Sequence, residues 1–200
     1  MSAFWDERYS RTEYIYGEDP NSFFSEQILK LKPGKIILPC EGEGRNAVFA
    51  AKLGWNVMAF DSSNAGRIKA MGLAEKYSVN IDYIIEDALN ADYPENSADV
   101  VAFIFAHFEP ESRIQLHKKA IKWLKPGGKI ILEVFNTDQL KNNSGGPKDL
   151  ALLYTEDMLI HDFAVLETEL LQSIQVELSE GSFHKGKAEV VQYIGTKQQS

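Results

Sequence analysis

Two glycines, Gly42 and Gly44, follow the first long apolar run of the chain, with a single residue between them. The next two apolar runs each end on a carboxylate, first Asp61 and then Asp87. Glycine lets a ligand approach the main chain closely, and an acid after the following strand can accept hydrogen bonds from both ribose hydroxyls. This spacing predicts a pocket for a nucleoside cofactor and leaves open which cofactor it is.

The glycine turn is compatible with two cofactors. Residues 42–47 satisfy the G-x-G-x-x-G/A fingerprint of dinucleotide-binding turns, which makes an NAD(P)-dependent oxidoreductase one interpretation. A pyrophosphate needs free amides at the helix N-terminus, however, and Glu41 and Glu43 place negative charge there. S-adenosylmethionine carries a sulfonium and an ammonium instead of phosphates, so nearby carboxylates are tolerated or favourable. We therefore favour S-adenosylmethionine and keep the nicotinamide enzyme as an alternative.

Apolar runs alternate with helical patterns over most of the chain, which is typical of an α/β fold. Two long runs close the chain and are joined by a turn as a hairpin. We expect a doubly wound, mostly parallel sheet in which this hairpin makes the last strand antiparallel. The expected strands are residues 35–38, 56–60, 81–85, 98–105, 129–135, 167–178 and 188–195.

Ligands of doubly wound sheets bind beyond the carboxyl ends of the strands. Asp61 is the expected ribose ligand at this edge. Asp87 is placed to accept a hydrogen bond from the adenine amino group, while the main-chain amide of Ala88 or Leu89 donates to a ring nitrogen. The remaining expected cofactor contacts here are Glu41, Gly42, Gly44, Arg45, Asn46, Ser62 and Ala106.

With these residues the chain resembles the class I S-adenosylmethionine-dependent methyltransferases, from the first strand to the last hairpin. Residues 41–47 look like the first motif of the tellurite-resistance and thiopurine methyltransferase-like branch. Residues 61–62, 86–88 and 124–128 look like its later landmarks. The resemblance implies a seven-stranded sheet with the last strand reversed, S-adenosylmethionine as cofactor and transfer of a methyl group.

The N-terminal residues 4–9, followed by Tyr16, are similar to the segment that closes over the cofactor in that branch. The resemblance implies that Trp5 and Tyr16 contact the cofactor. Leu38 and Cys40 stand where the family commonly has an acid and a further glycine, so we expect Glu41 to make the ammonium contact. The same departure keeps open a third interpretation, a catalytically inactive protein that binds S-adenosylmethionine in a regulatory role.

The histidines are the other candidates for chemistry. His107 ends the expected fourth strand, where the transferred methyl should point, and is the candidate catalytic base. His117 is expected to pack on the apolar face of its helix, whereas His161 and His184 are expected at the surface. The glycine-rich residues 145–147 are expected to shape the acceptor pocket. No spacing of His, Cys, Asp and Glu indicates a metal site.

Composition limits the remaining possibilities. Two hundred residues with 44% hydrophobic side chains fit one domain, residues 1–200, with an N-terminal lid and helix at 1–33 and a core at 34–200. The net charge of −8 argues against nucleic acid or an anionic membrane as partner. No run approaches the roughly 20 apolar residues that span a bilayer. Cys40, the single cysteine, excludes an internal disulfide and is expected to pack under the glycine turn.

We expect a soluble, cytoplasmic enzyme acting on a small-molecule acceptor, with its oligomeric state left open. A soft sulfur, selenium or tellurium nucleophile needs no general base, which agrees with the absence of an obvious base in the sequence. An oxygen or nitrogen acceptor would make His107 more important. The sequence does not name the acceptor.

Overall fold

The computed structural model describes residues 2–199, so the first and last residues of the expected domain lie outside the described part. Seven strands form one sheet. They are β1 (Lys35–Pro39), β2 (Asn56–Asp61), β3 (Asp82–Ile85), β4 (Ala98–Ile104), β5 (Leu124–Phe135), β6 (Leu166–Glu180) and β7 (His184–Lys197). Their order across the sheet is β3-β2-β1-β4-β5-β7-β6.

The strand directions confirm the expected fold class. The neighbours from β3 to β5 pair in parallel, whereas β7 runs antiparallel to both β5 and β6. The terminal hairpin therefore inserts the last strand between β5 and β6 and reverses only that strand. The result is the mostly parallel, seven-stranded sheet that the resemblance implies.

Six α-helices and two short 3-10 helices connect the described strands. They are α1 (Ser2–Tyr9), α2 (Ser22–Ile28), α3 (Arg45–Lys52), α4 (Asn64–Lys76), α5 (Pro110–Trp123), α6 (Glu156–Asp162) and the 3-10 helices Thr137–Lys141 and Leu150–Leu152. None of the helices within residues 2–199 combines the length and the apolar character that crossing a membrane requires.

Helices cover both faces of the sheet because alternate residues of each strand point to opposite faces. Ile36 of β1 lies in a buried cluster with Phe24 of α2 and Leu73 of α4. Its neighbour Ile37 belongs to the opposite cluster, which contains Leu116 of α5. The central strands are therefore buried on both faces, as their nearly continuous apolar runs indicated.

The sequence pattern does not predict α1, because residues 1 to about 20 have no apolar stripe of helical period. Tertiary contacts hold this helix instead. One carboxylate oxygen of Asp6 accepts hydrogen bonds from the hydroxyl of Ser63 at 2.7 Å and from the amide of Ala65 at 3.0 Å. Ser63 also caps α4 by accepting a hydrogen bond from the amide of Gly66 at 3.0 Å. The start of α4 therefore fixes α1 beside the end of β2.

Candidate cofactor and acceptor site

A cavity of about 620 Å³ opens at the carboxyl ends of β1, β2 and β4. Its other walls come from α1, the segment after β3, the loop that precedes α6 and the first residue of β7. This is the edge at which the sequence predicts the cofactor. The expected site residues that line the cavity are Trp5, Tyr16, Glu41, Arg45, Asn46, Asp61, Ser62, Asp87, Ala88, Leu89, Ala106 and His107.

The two turn glycines do not line this cavity, in contrast to the sequence expectation. Gly42 has a φ of 59°, and a Cβ atom there would lie 2.5 Å from the hydroxyl oxygen of Tyr9. Gly44 has a φ of 87°, and a Cβ atom there would lie 2.5 Å from the Cβ of Ala70. Both glycines therefore allow the side chains of neighbouring helices to pack closely on the turn.

Asp61 ends β2 with its carboxylate already held by the main chain. Its Oδ2 accepts a hydrogen bond from the amide of Gly42 at 3.1 Å, and its Oδ1 accepts one from the amide of Ser63 at 2.9 Å. Burial raises the pKa of this carboxyl to about 6. Each carboxylate oxygen has further acceptor capacity, so the fixed side chain can also hold ribose hydroxyls.

Glu41 occupies the N-terminus of α3. Its Oε1 accepts a hydrogen bond from the amide of Ala47 at 2.7 Å, and its Oε2 accepts one from the side-chain amide of Asn46 at 3.5 Å. Burial raises the pKa of this carboxyl to about 7. An acid of the chain itself thus occupies the position at which a helix N-terminus would otherwise bind an anion.

Asp87, Ala88 and Leu89 follow β3 and form the next part of the wall. Asp87 is exposed and Ala88 is buried. The Oδ1 atom of Asp87 accepts a hydrogen bond from the amide of Leu89 at 2.9 Å. The amide of Leu89, one of the two that the sequence predicts as donors to an adenine ring nitrogen, is therefore already in a hydrogen bond.

Glu43 anchors the chain segment that follows α1. Its two carboxylate oxygens accept hydrogen bonds from the amides of Ile15 and Tyr16, each at 3.3 Å. The ammonium of Lys69, on α4, forms an ion pair with the same carboxylate. The negative charge of Glu43, which in the sequence argues against a bound pyrophosphate, is therefore balanced within the protein. Its structural effect is to tie the N-terminal segment to the glycine turn.

Aromatic side chains from the N-terminal segment and the β6–β7 hairpin meet above the cavity. The rings of Trp5 and Tyr9 stack with centroids 5.5 Å apart. Arg8 donates a hydrogen bond of 3.1 Å to the hydroxyl of Tyr16, and its guanidinium lies 5.1 Å from the ring centre of Phe183. These contacts join the first helix to the last hairpin across the cavity mouth.

Two non-glycine residues at strand ends have left-handed backbone conformations. Cys40 has a φ of 55° just after β1, and Phe105 has a φ of 52° just after β4. Both line the cavity, so Cys40 forms part of its wall, where the sequence had placed it beneath the turn. Such conformations cost about 1–2 kcal/mol per residue and are concentrated at functional sites, because surrounding contacts must maintain them.

His107 lies on the cavity wall with both ring nitrogens in hydrogen bonds to the main chain. Its Nδ1 lies 2.7 Å from the carbonyl oxygen of Leu152, and its Nε2 accepts a hydrogen bond from the amide of Phe135 at 3.4 Å. Burial lowers the pKa of this imidazole to about 4. The side chain is therefore neutral and has no free nitrogen to offer a substrate.

His184 is buried, which corrects the expectation that it lies at the surface. Only 5% of the residue is exposed, and it lines the cavity. Its Nδ1 lies 3.3 Å from Oε2 of Glu180, the residue that ends β6. The strand period of two indicates this placement, since the buried residues Ala188 and Val190 share their face of β7 with position 184. The sequence interpretation began this strand too late, at residue 188, whereas β7 begins at His184.

Comparison with known proteins agrees with this geometry. Residues 38–128 match the family model described as a methyltransferase domain. The match covers just under half of the chain. It begins within β1 and extends into β5, and so contains the glycine turn, Asp61 and Asp87.

The chain is similar to part of a curated relative, phosphoethanolamine N-methyltransferase 1 of Arabidopsis thaliana. The two are 29% identical over 106 residues, which is 52% of this chain and 22% of the relative. The chain therefore covers about a fifth of that protein's length.

Solved structures share the fold over nearly the whole described chain. TehB from Haemophilus influenzae superimposes with a TM-score of 0.73 at 18% identity, covering 98% of this chain and 67% of TehB. A SAM-dependent methyltransferase of Methanosarcina mazei gives a TM-score of 0.68 at 17% identity, covering 91% of this chain and 100% of that one. At these identities the similarity shows the fold that the chains share.

Proposed function

We propose that the protein transfers the methyl group of S-adenosylmethionine to a small-molecule acceptor in the cavity at the carboxyl edge of the sheet. The position of Glu41 is the observation that favours this proposal over a nicotinamide-dependent enzyme. Its carboxylate accepts a 2.7 Å hydrogen bond from the amide of Ala47, at the N-terminus of α3. A pyrophosphate there would meet a buried acid instead of free amides. A sulfonium cofactor has no phosphate to place at this point.

The acids around the cavity suit the separate parts of the proposed cofactor. Asp61 is assigned to the ribose hydroxyls, because its carboxylate is fixed by two main-chain amides. Asp87 and the amide of Ala88 are assigned to the adenine, since the Leu89 amide already donates to Asp87. Glu41 is assigned to the ammonium group. This arrangement gives the ribose hydroxyls, the adenine and the ammonium of the cofactor each a partner of complementary charge or hydrogen-bonding capacity.

The N-terminal segment, residues 1–33, is proposed to close over the cofactor as a lid on the core of residues 34–200. Trp5 and Tyr16 support this role because both line the cavity. The hydrogen bonds of Asp6 to Ser63 and Ala65 place α1 two residues from the end of β2, beside Asp61. Cofactor binding and docking of the segment would then stabilise each other.

When bound, S-adenosylmethionine supplies a methyl group that is already activated as a sulfonium. The contribution of the protein is to hold the acceptor in line with that methyl and to exclude water. Correct positioning can supply about 7–11 kcal/mol of the barrier. Phe105, Phe135 and Leu152 give the cavity apolar walls next to the end of β4. These walls suit an acceptor with an apolar or aromatic body.

The class of acceptor remains a prediction. The tellurite-resistance and thiopurine methyltransferase-like resemblance implies a soft sulfur, selenium or tellurium nucleophile. A catalytic role for His107 has little support, because hydrogen bonds to main-chain groups of Phe135 and Leu152 engage both of its nitrogens. We propose instead that His107 shapes the wall on which the acceptor rests.

Calorimetric titration of the protein with S-adenosylmethionine, S-adenosylhomocysteine and NADH tests the cofactor assignment. We expect micromolar binding of the two adenosyl compounds and no heat from NADH. NADH binding accompanied by a change in its fluorescence would support the oxidoreductase instead. A protein that binds S-adenosylmethionine but methylates nothing in a panel of thiols, selenite, tellurite, phenols and amines would match the inactive regulatory alternative.

A further inference from the structure

We propose that His184 is the general base of this site, that Glu180 positions it, and that it takes a proton from the reacting atom of the acceptor. This inference rests on the proposed methyl transfer and adds a catalytic residue to it. It also narrows the acceptor to molecules that carry an acidic hydrogen on the atom to be methylated.

The hydrogen bond between His184 and Glu180 fixes the tautomer of the imidazole. An ionised carboxylate can only accept, so the 3.3 Å contact requires a proton on Nδ1 of the ring. The neutral ring then carries its lone pair on Nε2. Nε2 forms no hydrogen bond with any group in residues 2–199, in contrast to both nitrogens of His107. His184 is therefore the histidine on the cavity wall with a nitrogen available for a substrate.

Glu180 is itself held from two sides, which makes it a rigid support. Its Oε2 pairs with the guanidinium of Arg45 at 2.7 Å, and its Oε1 accepts a hydrogen bond from Asn21 at 3.0 Å. Burial opposes ionisation, but the hydrogen bond from His184 and the charge of Arg45 hold the pKa of Glu180 at about 2. The carboxylate stays ionised at all working pH values and keeps Nδ1 protonated.

The surroundings of His184 place it beside the expected acceptor position. Its ring centre lies 4.4 Å from that of Tyr16, 4.6 Å from that of Phe105 and 5.3 Å from that of Phe135. A Cβ atom on Gly145 would lie 2.6 Å from the imidazole, so this loop approaches the ring closely because glycine stands there. The free nitrogen thus lies among aromatic walls next to the end of β4.

The chemistry of the proposed step balances without another reactant. The X–H bond of the acceptor breaks, its electron pair stays on X, and the proton binds the lone pair of Nε2. X then forms the bond to the methyl carbon while the sulfonium carbon–sulfur bond breaks and returns its electron pair to sulfur. The imidazolium finally loses its proton to solvent.

The charges near His184 favour an acceptor that becomes an anion. Arg45 pairs with Glu180, while Arg8 projects from α1 toward the hydroxyl of Tyr16. The guanidinium of Arg8 stabilises a thiolate or phenolate and repels an ammonium, whereas the charge of Arg45 is balanced by Glu180. The pKa of an imidazole base is also much closer to the ordinary pKa of a thiol, about 8.5, than to that of an aliphatic hydroxyl. Proton transfer from a thiol to this base is therefore more favourable.

The pH dependence of the turnover rate should follow the titration of this base. Burial lowers the pKa of His184 below the ordinary histidine value, although Glu180 partly offsets this effect. The turnover rate should therefore fall only on the acid side of neutrality, where Nε2 becomes protonated. The titratable and charged side chains that face His184 are Arg8, Tyr16, Arg45, His107 and Glu180.

The decisive experiment compares His184→Asn with the wild type on thiophenols and phenols whose acidity is varied by ring substituents. The asparagine amide can still donate to Glu180 but cannot take a proton. For the least acidic acceptors we expect kcat to fall roughly 100-fold or more. This deficit should shrink toward none for acceptors that are already ionised at the assay pH. His161→Asn is the matched control, because that side chain is 78% exposed, and it should leave the rates unchanged.

An equilibrium measurement gives a second readout without turnover. With S-adenosylhomocysteine bound, the absorbance of an aromatic thiolate reports the apparent pKa of the bound acceptor. We expect the wild type to lower that pKa relative to free acceptor and His184→Asn to lower it less. Glu180→Gln should move the acid limb of kcat/KM to lower pH, because the carboxylate that favours the imidazolium is gone.

Two outcomes would overturn the inference. One is a fall in the kcat of His184→Asn that is the same for acceptors of every acidity, which would indicate a structural role. The other is a wild type that neither methylates these acceptors nor changes their ionisation. Cofactor titration of the same preparations separates these failures from a failure of the proposed methyl transfer, because it measures S-adenosylhomocysteine binding directly.

Discussion

Asp61 accepts a 3.1 Å hydrogen bond from the main-chain amide of Gly42, so the acid that ends β2 also holds the glycine turn that follows β1. The same carboxylate lines the cavity. One side chain therefore links the local geometry of the turn to the proposed ribose contact. Cofactor affinity and the order of the turn should depend on it together.

Asp61→Asn should weaken S-adenosylhomocysteine binding by roughly 5- to 150-fold, which corresponds to about 1–3 kcal/mol for an unsatisfied polar group. Asparagine has one acceptor oxygen, whereas Asp61 accepts from both Gly42 and Ser63. Calorimetric titration measures the loss. Asp82→Asn, at the exposed opening of β3, is the control that should bind normally. Unaltered affinity in Asp61→Asn would remove the role assigned to this residue.

Gly42→Ala should destabilise the protein more than Gly54→Ala. Both glycines have positive φ, 59° and 88° respectively, so both substitutions carry a backbone cost of about 1–2 kcal/mol. The Cβ at position 54 meets nothing within 4 Å, whereas at position 42 it would lie 2.5 Å from the Tyr9 hydroxyl. Urea unfolding of both variants measures the difference. Equal losses would show that Tyr9 does not pack on the turn.

Cofactor binding should release protons near neutral pH. The pKa of Glu41, raised to about 7 by burial, leaves this carboxyl partly protonated, and the ammonium of the cofactor would favour its ionised form. Affinity should therefore rise from pH 6 toward pH 8. Calorimetry in two buffers of different ionisation enthalpy counts the released protons. Glu41→Gln should abolish the release, and a persistent release in that variant would place the titrating group elsewhere.

Two buried carboxyls of the ligand-free protein should contribute stability that is lost as pH rises between about 4 and 7. In that range the folded state retains protons on Glu41, with a pKa of about 7, and Asp61, with a pKa of about 6, which the unfolded chain has already released. Asp162 and Glu180 have pKa values lowered to about 2, so their contribution is instead lost as pH falls below 4. Urea unfolding of the wild type and of Glu41→Gln at a series of pH values tests this. The stability of Glu41→Gln relative to the wild type should rise from pH 4 to 7, because the buried histidines, whose lowered pKa values act in the opposite direction, are common to both proteins. A difference that stays constant over this range would contradict the prediction.

Glu43→Gln should loosen the N-terminal segment while leaving the sheet intact. The substitution removes the charge that pairs with Lys69 and weakens the acceptor for the amides of Ile15 and Tyr16. Hydrogen exchange of these two amides should accelerate, and trypsin should cleave sooner after Arg11. Glu13→Gln, on an exposed side chain of the same segment, is the control. Equal protection in both variants would mean that other contacts hold the segment.

The sheet could be predicted because its strands coincide with apolar runs in the sequence. The run from Ala98 to Ile104 is nearly continuous because β4 is buried on both faces, and the closing strands were recognisable as a hairpin. The positions of Asp61 and Asp87 after their strands followed from the same pattern. His117 was also correctly assigned to packing, since it is fully buried against Phe163.

The site was less predictable wherever its residues are distant in sequence. The helix α1 has no apolar stripe and depends on Asp6 reaching Ser63, 57 positions away. His184 was assigned to the surface because the sequence interpretation began the last strand at residue 188 and left position 184 in the preceding turn. Its partners Tyr16 and Phe105 come from the opposite end of the chain and from the end of β4.

The amino-acid sequence by itself determined the α/β architecture, the edge of the sheet at which the cavity opens and the acids that line it. These features depend on hydrophobic period and on the order of strands, which are local properties of the chain. Only the tertiary structure decided that the turn glycines pack against Tyr9 and Ala70, and that His184 has a free nitrogen where His107 has none. Side-chain hydrogen bonds and close contacts depend on which distant segments meet, and that is fixed only when the whole sheet has formed.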